Sequence, residues 1–241
     1  MSLILHAATV TDVGLVRTNN EDSAYVGRRV FAVADGVGGM PAGEVASALV
    51  IRALVELDDA SGAADPTEEL REAIESANQQ IRDQVAADPM SDGMGTTVTA
   101  LLVAGDGIAL LHVGDSRCYL LRDVDFKQLT RDDTFVQALV DQGLLSPDEA
   151  RTHPRRSLVT QAVQGDELSP AVTVLSPRPG DRFLLCSDGL SDALTDAAIA
   201  RTLRSDPDPQ HCAEALVRLA LSAGATDNVT VIVADVAEDR R

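Results

Sequence analysis

Aromatic and cationic residues are both scarce in this sequence. Phe, Tyr and Trp together make up 2% of its 241 residues, and Trp is absent, so a core must be built from Leu, Val, Ile and Ala. Lys and Arg number 20 against 38 Asp and Glu, which gives a formal net charge of −18. Nucleic-acid binding needs a basic footprint for the phosphate backbone, so this charge argues against nucleic acid as a partner. The same charge fits either general solubility or the recruitment of cations.

Cysteine and long apolar runs are also lacking. Cys118, Cys186 and Cys212 are odd in number and widely spaced, which favours buried thiols in a reducing compartment over a metal site or a disulfide framework. No segment approaches the roughly 18 consecutive apolar residues of a membrane span, and no secretory leader opens the chain. We therefore expect a cytoplasmic protein with no membrane segment in this chain. The alternative is the cytosolic domain of a longer membrane protein, because the chain stops at "AEDRR" directly after its last strand-like run.

Seven short runs rich in β-branched or aliphatic residues predict strands, most of them bounded by Gly, Asp or Asn. Gly105-Asp106-Gly107 separates two of these runs and predicts a hairpin, and Gly114-Asp115 predicts a second one. Consecutive hairpins indicate antiparallel pairing, because parallel strands need long crossovers.

Two pairs of helices are predicted between the strands. The first pair is "AGEVASALVIRALVEL" and a helix that begins at Asp65-Pro66-Thr67-Glu68, and the second covers Thr195–Leu203 and Gln210–Ser222. The polar region between Leu129 and Ser169 resembles an insertion over one end of the sheets. This order of strands and paired helices predicts one α+β domain.

Acidic residues recur where the predicted strands begin or end. Glu21 and Asp22 open a short strand, Asp35 and Asp188 follow apolar runs and precede glycine, Asp115 follows another run, and Asp227 precedes the last strand. If these ends gather at one edge, each ionised pair about 5 Å apart repels by roughly 3 kcal/mol at an effective dielectric constant near 20. Such a cluster needs compensating positive charge.

Two interpretations of these aspartates remain open on the residues alone. Asp-Gly is a common turn dipeptide, so each aspartate has an ordinary structural explanation. Oxygen ligands without His or Cys also suit Mg²⁺ or Mn²⁺, and a pair of such ions is suited to hydrolysing a phosphate ester. The glycines after Asp35 and Asp188 then allow close backbone approach, so that a carbonyl serves as a further ligand.

Six ordered motifs resemble the metal-dependent protein serine/threonine phosphatases of type 2C, the PPM family, and in particular the bacterial members that oppose Ser/Thr kinases. The resemblance runs from about His6 to Val236. The motifs are "RTNNEDSAYV", "VADGVGGMPAGEVAS", "GMGTTVTALLV", "HVGDSRCYLLR", "CSDGLSDAL" and "TDNVTVIVADV".

The resemblance implies one catalytic domain over residues 1–241, with a central sandwich of two antiparallel β-sheets flanked by pairs of helices and a flap at about 146–167. It implies hydrolysis of phosphoserine and phosphothreonine in proteins by a metal-activated water at a multinuclear Mn²⁺ or Mg²⁺ centre. The partners implied are phosphorylated proteins, including Ser/Thr kinases and their substrates. We expect a monomer.

The resemblance also assigns site residues. It implies two core metal ions and a third one, Arg17 as the group that binds the substrate phosphate, and Asp22 as the group that orders metal-bound water. The implied metal ligands are Asp35, the carbonyl of Gly36, Asp188 and Asp227 for the core ions, with Asp115 and Asp188 for the third ion. Taken alone, Asp115 has the alternative of a hairpin turn, and Arg17 that of an ordinary surface arginine.

The sequence departs from the family in its histidines. Many relatives carry a histidine in or just after the glycine-rich segment, where this chain has Val37 and Met40. His153, in the flap, is a candidate acid for the leaving group, and a metal-bound water is the alternative donor. His6 and His112 lie on strand-like runs and favour structural roles, whereas His211 is expected to be exposed.

The flap also holds the clearest basic cluster of the chain, formed by Arg151, Arg155 and Arg156. It either guides phosphorylated loops towards the metals or is a solvated, mobile loop. Two rival functions remain: a relative that binds phosphoproteins without cleaving them, and a phosphatase for small molecules. Retention of Asp35, Asp188 and Asp227 argues against the first.

Overall fold

The structure is a computed structural model that describes residues 3–37, 42–59 and 65–239. The strands are β1 Leu3–Asp12, β2 Asp22–Val26, β3 Val30–Val37, β4 Gly95–Thr96, β5 Val98–Ala104, β6 Gly107–Val113, β7 Arg117–Arg122, β8 Asp125–Gln128, β9 Ala171–Leu175, β10 Arg182–Cys186 and β11 Val229–Glu238. The helices are α1 Gly43–Val55, α2 Pro66–Ala87, α3 Phe135–Asp141, α4 Pro147–Thr152, α5 Asp188–Ala193, α6 Asp196–Ser205 and α7 Pro209–Ser222, with a short 3-10 turn at Pro89–Ser91.

The strands form two antiparallel sheets, which confirms the predicted α+β sandwich. One sheet has the order β1-β11-β10-β7-β8, and the other has the order β2-β3-β5-β6-β9, with β4 paired to β3. Helices cover the outer faces: α1 and α2 pack on the sheet of β3, and α5 to α7 pack on the sheet of β11. The molecule therefore has four layers, helices outside and sheets inside.

Both faces of the central strands are buried, which explains their continuous apolar runs. In β3, Phe31 and Val33 pack between the two sheets, whereas Val30, Ala32 and Ala34 pack against α1 and α2. Successive side chains of a strand point to opposite faces, so a strand covered on both sides must be apolar at every position.

One predicted hairpin is confirmed and the other is wrong. Strands β5 and β6 pair across Gly105-Asp106, with Ala104 opposite Gly107. Strands β6 and β7 do not pair, because β6 belongs to one sheet and β7 to the other. The chain therefore crosses between the sheets through Gly114, Asp115 and Ser116. A glycine-aspartate turn looks the same in sequence whether the next strand stays in the sheet or leaves it.

The four predicted helices are confirmed. Asp65 caps α2 by accepting a hydrogen bond from the backbone N–H of Thr67, and Thr195 caps α6 in the same way from Ala198. Gly224, with a φ of +93°, lies just after α7.

The predicted insertion between Leu129 and Ser169 contains α3 and α4. Helix α4 begins with a capping box in which Ser146 and Glu149 bond each other's backbone N–H groups. None of the helices in the described ranges is both long enough and apolar enough to cross a bilayer. All three cysteines are free and buried, as expected.

Candidate metal centre

Asp22 and Asp35 face each other across two neighbouring strands. They are directly paired in the register of β2 and β3, so their side chains lie on the same face. The sequence suggested that the strand ends at Asp35, but β3 continues to Val37. It pairs with β5 over its first part and with β4 at Gly36 and Val37. The backbone N–H of Asp35 donates to Thr97 Oγ1 over 3.1 Å.

Asp188 lies at the start of a helix and not at a strand end, which corrects the sequence prediction. Strand β10 ends at Cys186, and Asp188 is the first residue of α5. Between them, the buried Ser187 donates its hydroxyl to Asp22 Oδ2 over 2.8 Å. This bond links the residue before α5 to β2 of the other sheet. It therefore brings Asp188, which follows Ser187, close to Asp22.

Asp227 precedes β11 and accepts two hydrogen bonds. Its Oδ1 accepts from the backbone N–H of Asn228 over 2.9 Å, and its Oδ2 accepts from Arg17 Nη2 over 2.8 Å. The Arg17–Asp227 pair is exposed on both sides, with 46% and 38% of the side chains accessible. The sequence assigned these two residues to different ligands, and the structure pairs them with each other.

Asn228 orders the loops around the site. Its side chain donates to the carbonyls of Val13 and Asn19, each over 2.9 Å, and accepts from the backbone N–H of Glu21 over 2.8 Å. Asn228 is itself buried, and both N–H donors of its amide group are used in these bonds. It holds the segment that carries Arg17 against the segment that carries Asp227.

Two glycines permit this close approach of loops. A Cβ atom at Gly14, whose φ is +77°, lies 2.0 Å from the carbonyl oxygen of Asp227. A Cβ atom at Gly189 lies 2.0 Å from the carbonyl oxygen of Asn228. Neither position has room for a side chain, so glycine at both is a condition for placing Asp227 beside Asp188.

Asp115 lies in the connection between the sheets and is buried. The neighbouring Ser116 shares a 2.6 Å hydrogen bond with Thr97, the residue that contacts the backbone of Asp35. Arg117 forms a partly buried ion pair with Asp132 through two nitrogens. The two residues that follow Asp115 are therefore both held in place.

The carboxylates raise one another's pKa. Burial, followed by the charges of the neighbouring carboxylates, places the pKa of both Asp35 and Asp188 well above the ordinary range. Burial and the charges of Asp132 and Asp192 raise the pKa of Asp115 to about 7. Burial also raises the pKa of Asp22, against the hydrogen bonds that lower it. The cluster therefore carries unbalanced negative charge that a cation relieves.

The donor set fits a hard divalent cation. Every side chain in the cluster offers oxygen, the ligand type of Mg²⁺ and Mn²⁺. Asp22 Oδ1 is buried and, in the part of the chain that the structure describes, has no hydrogen-bond partner. Among these same residues, no three His, Cys, Asp or Glu side chains converge closely enough to enclose an ion. The carboxylates lie near one another without enclosing an ion-sized space, and the carboxylate of Asp227 forms an ion pair with Arg17.

The histidines are not brought to the cluster. His153 Nδ1 accepts from the backbone N–H of Arg155 over 3.1 Å, and its ring lies 6.2 Å from that of Phe135. His112 is buried and bonded to Thr99 and Arg131, in the structural role expected of it. His6, expected to be structural as well, is exposed. Met40 lies outside the described residues.

The arginines of the flap, residues 146–167, contact α3 and the segment of Asp192 and Leu194. Arg156 pairs with Asp192 over 3.2 Å, Arg151 donates to the carbonyl of Leu194 over 3.2 Å, and Arg155 lies 5.8 Å from the ring centre of Phe135. Residues of the flap and of α3 line a cavity of about 380 Å³ together with Asp115 and Asp188.

Two further acidic residues adjoin the assigned ones, and one of them, Asp192, was missed by the sequence prediction. The carboxylate of Glu21 points towards Gly43, and its backbone carbonyl accepts from the N–H of Gly36 over 3.2 Å. Asp192 adds its charge to those that raise the pKa of Asp188 and Asp115. Its position four residues after Asp188, one turn along a helix, was the available signal.

Several known proteins are similar to this chain over most of its length. The family model described as Protein phosphatase 2C matches residues 17–217. The serine/threonine protein phosphatase PstP of Mycobacterium tuberculosis is 51% identical over 238 residues, which cover 99% of this chain and 46% of PstP. The chain thus spans less than half the length of that relative. Protein phosphatase PhpP of Streptococcus pneumoniae is 37% identical over 246 residues, which cover 98% of this chain and 99% of PhpP.

A solved structure has the same fold. It is a crystal structure of the catalytic domain of PstP in complex with two manganese ions, and it superposes with a TM-score of 0.93 at 50% identity. The match covers 98% of this chain and 100% of that one.

Proposed function

The chain belongs to the protein phosphatase 2C family, and we propose that it is a metal-dependent phosphatase that hydrolyses phosphoserine and phosphothreonine in proteins. The observation that carries this proposal is the cluster of Asp22, Asp35, Asp115, Asp188 and Asp227, in which the pKa values of four members are raised. A protein gains nothing in stability from such a cluster without a cation.

Each aspartate has a proposed role. The residues that would hold two core ions are Asp35 with the carbonyl of Gly36, Asp188 and Asp227, and a third ion would be held by Asp115 and Asp188. Asp22, whose Oδ1 has no partner among the described residues, would orient water in the site. Bound Mn²⁺ or Mg²⁺ supplies Lewis acidity, which lowers the pKa of water and neutralises charge on the phosphate.

Arg17 is proposed to bind the substrate phosphate. A guanidinium group has five N–H donors in a planar fork that fits two phosphate oxygens, which lysine does not match. Only Nη2 is used in the bond to Asp227, and 46% of the Arg17 side chain is exposed to solvent. Arg17 therefore stands at the edge of the cluster with donors facing outwards.

His153 is the proposed proton donor to the leaving alkoxide from the protein side. Because its Nδ1 accepts a hydrogen bond from Arg155, the neutral ring carries its proton on Nε2. A donor at Nε2 must come within hydrogen-bond reach of the leaving oxygen.

The remaining assignments follow from the same premise. We propose one catalytic domain over residues 1–241 with a flap at 146–167, acting as a cytoplasmic monomer or as the cytosolic part of a longer membrane protein. The proposed substrates are phosphorylated proteins, including Ser/Thr kinases and the targets of those kinases.

The test is phosphate release from a panel of substrates with Mn²⁺ and with EDTA. We expect phosphothreonine and phosphoserine peptides to be cleaved only with Mn²⁺, and in preference to glucose 6-phosphate and AMP. Peptides that bind without being cleaved would support a phosphoprotein-binding protein instead. Faster cleavage of the small molecules would support a small-molecule phosphatase.

A further inference from the structure

Three large apolar side chains are exposed within four consecutive residues beside the candidate metal centre. Val13, Leu15 and Val16 are 37%, 60% and 68% exposed. They account for three of the ten large exposed hydrophobic residues in the described part of the chain. Apolar residues exposed singly are normal on a soluble protein, but a contiguous group marks a contact surface. We call these three residues the apolar rim.

The backbone beneath the apolar rim is fixed. The N–H of Leu15 donates to the carbonyl of Ala225 over 3.0 Å, and the carbonyl of Val13 accepts from Asn228 Nδ2 over 2.9 Å. Asn228 is buried, so the turn is tied to the core of the molecule. A surface that is already ordered loses little conformational entropy when a ligand covers it.

The apolar rim adjoins the proposed phosphate-binding group. Val16 precedes Arg17 directly, so their Cα atoms are about 3.8 Å apart. Arg17 in turn contacts Asp227 at 2.8 Å. A peptide whose phosphate is bound by Arg17 therefore has a flanking residue close to the rim.

We infer that the apolar rim binds the side chain of a residue flanking the phosphorylated one, and that it selects apolar residues at that position. This inference rests on the proposed function, because it requires phosphate to be bound at Arg17. The net charge of the protein also favours apolar over acidic residues beside the phosphorylated one. A protein of net charge −18 repels acidic flanking residues, whereas an apolar side chain gains from the contact.

The size of the effect follows from the area covered. Burying roughly 40 Å² of apolar surface on an open rim corresponds to about a fivefold change in affinity. A contact of this kind acts equally on bound substrate and transition state, so it changes KM more than kcat.

The test compares two labelled phosphothreonine peptides that differ only in leucine or glutamine on both sides of the phosphothreonine. Their kcat/KM values with Mn²⁺ are measured for wild type, for the double variant Leu15→Ser/Val16→Ser and for Val124→Ser. Val124 is a matched control, 78% exposed in the turn after β7, at the opposite end of that strand from Asp115. Hydrolysis of p-nitrophenyl phosphate, which has no flanking residues, normalises each preparation for folded enzyme.

We expect wild type and Val124→Ser to prefer the leucine peptide about fivefold, mainly through KM, and the double variant to lose that preference. The inference would be overturned if the double variant kept the wild-type preference for the leucine peptide, or if wild type had no such preference. Fluorescence anisotropy gives the same ratio of affinities without turnover. If neither peptide nor p-nitrophenyl phosphate is hydrolysed, the proposed function fails, while the anisotropy ratio still decides for or against the rim.

Discussion

Arg17 and Asp227, separated by 210 positions in the chain, form an ion pair in which Nη2 donates to Oδ2 over 2.8 Å. The pair joins the residue proposed to bind phosphate to a residue proposed to bind metal. Any cation that binds Asp227 competes with Arg17, so the two ligands of the site are linked through this contact.

Removing Arg17 should therefore have opposite effects on the two ligands. In Arg17→Ala, we expect kcat/KM for phosphothreonine peptides to fall roughly tenfold to hundredfold, because charge-assisted hydrogen bonds to phosphate are lost. Affinity for Mn²⁺ should rise roughly twofold to fivefold, since an exposed ion pair contributes up to about 1 kcal/mol. Steady-state kinetics and calorimetric titration with Mn²⁺ measure the two effects.

The control for this prediction is Arg218→Ala, which removes another exposed arginine, paired with Glu214 on α7. It should leave both quantities as in wild type. A loss of Mn²⁺ affinity in Arg17→Ala would contradict the competition between Arg17 and the metal.

Gly189 should be intolerant of the smallest side chain. In Gly189→Ala, the new Cβ meets the carbonyl oxygen of Asn228 at 2.0 Å, so the loop that carries Asp227 must move. We expect the free energy of unfolding to fall by about 1–3 kcal/mol, and Mn²⁺ affinity to fall with it. Gly107→Ala is the matched control, because its Cβ meets its nearest neighbour at an ordinary 3.6 Å. Equal stability of the two variants in urea unfolding would refute the argument from close approach.

Asp58 should stabilise the fold in a pH-dependent way. Burial raises its pKa, but hydrogen bonds from the backbone N–H groups of Arg29, Arg28 and Val30 outweigh burial, so the pKa lies below its ordinary value. A lowered folded-state pKa gives stability that is fully present above the unfolded-state pKa, near 3.9, and lost as pH falls through the folded-state value. At pH 7 we expect Asp58→Asn to cost about 2 kcal/mol.

This difference between wild type and Asp58→Asn should shrink as the pH is lowered below about 4. Urea unfolding at a series of pH values measures it. Asp59→Asn, at the exposed neighbouring position, should show no such difference at any pH. A cost for Asp58→Asn that is the same at pH 3 and pH 7 would show that the charge of Asp58 is not the cause.

Local patterns predicted most of the fold. The cap at Asp65 and the Gly105-Asp106 turn have chemistry that acts within a few residues, and the structure has them where the sequence places them. The crossing at Asp115 was missed because sheet membership depends on which distant strand pairs with β7. The start of α5 at Asp188 was missed because a six-residue helix has too little periodicity to detect.

The sequence indicated most of the acidic residues of the candidate site, but it did not indicate which residues they contact. The repetition of aspartates beside strands indicated Asp22, Asp35 and Asp227 before any geometry was known. The bond from Ser187 to Asp22 spans 165 positions, and no local pattern encodes a bond of that kind. His153 was proposed as an acid because it lies in the flap. Its contacts with Arg155 and Phe135 depend on how the flap folds and packs, which the sequence does not show.

The central claim is that the aspartate cluster works by holding divalent cations. Phosphate release from a phosphothreonine peptide, with Mn²⁺ and with EDTA, tests it most directly in wild type, Asp188→Asn and Asp106→Asn. Asp106 also precedes a glycine, but it lies exposed in the β5–β6 turn, so it controls for loss of an Asp-Gly turn. We predict Mn²⁺-dependent release by wild type and Asp106→Asn, and none by Asp188→Asn. Equal release by all three proteins, or release that persists in EDTA, would contradict the account.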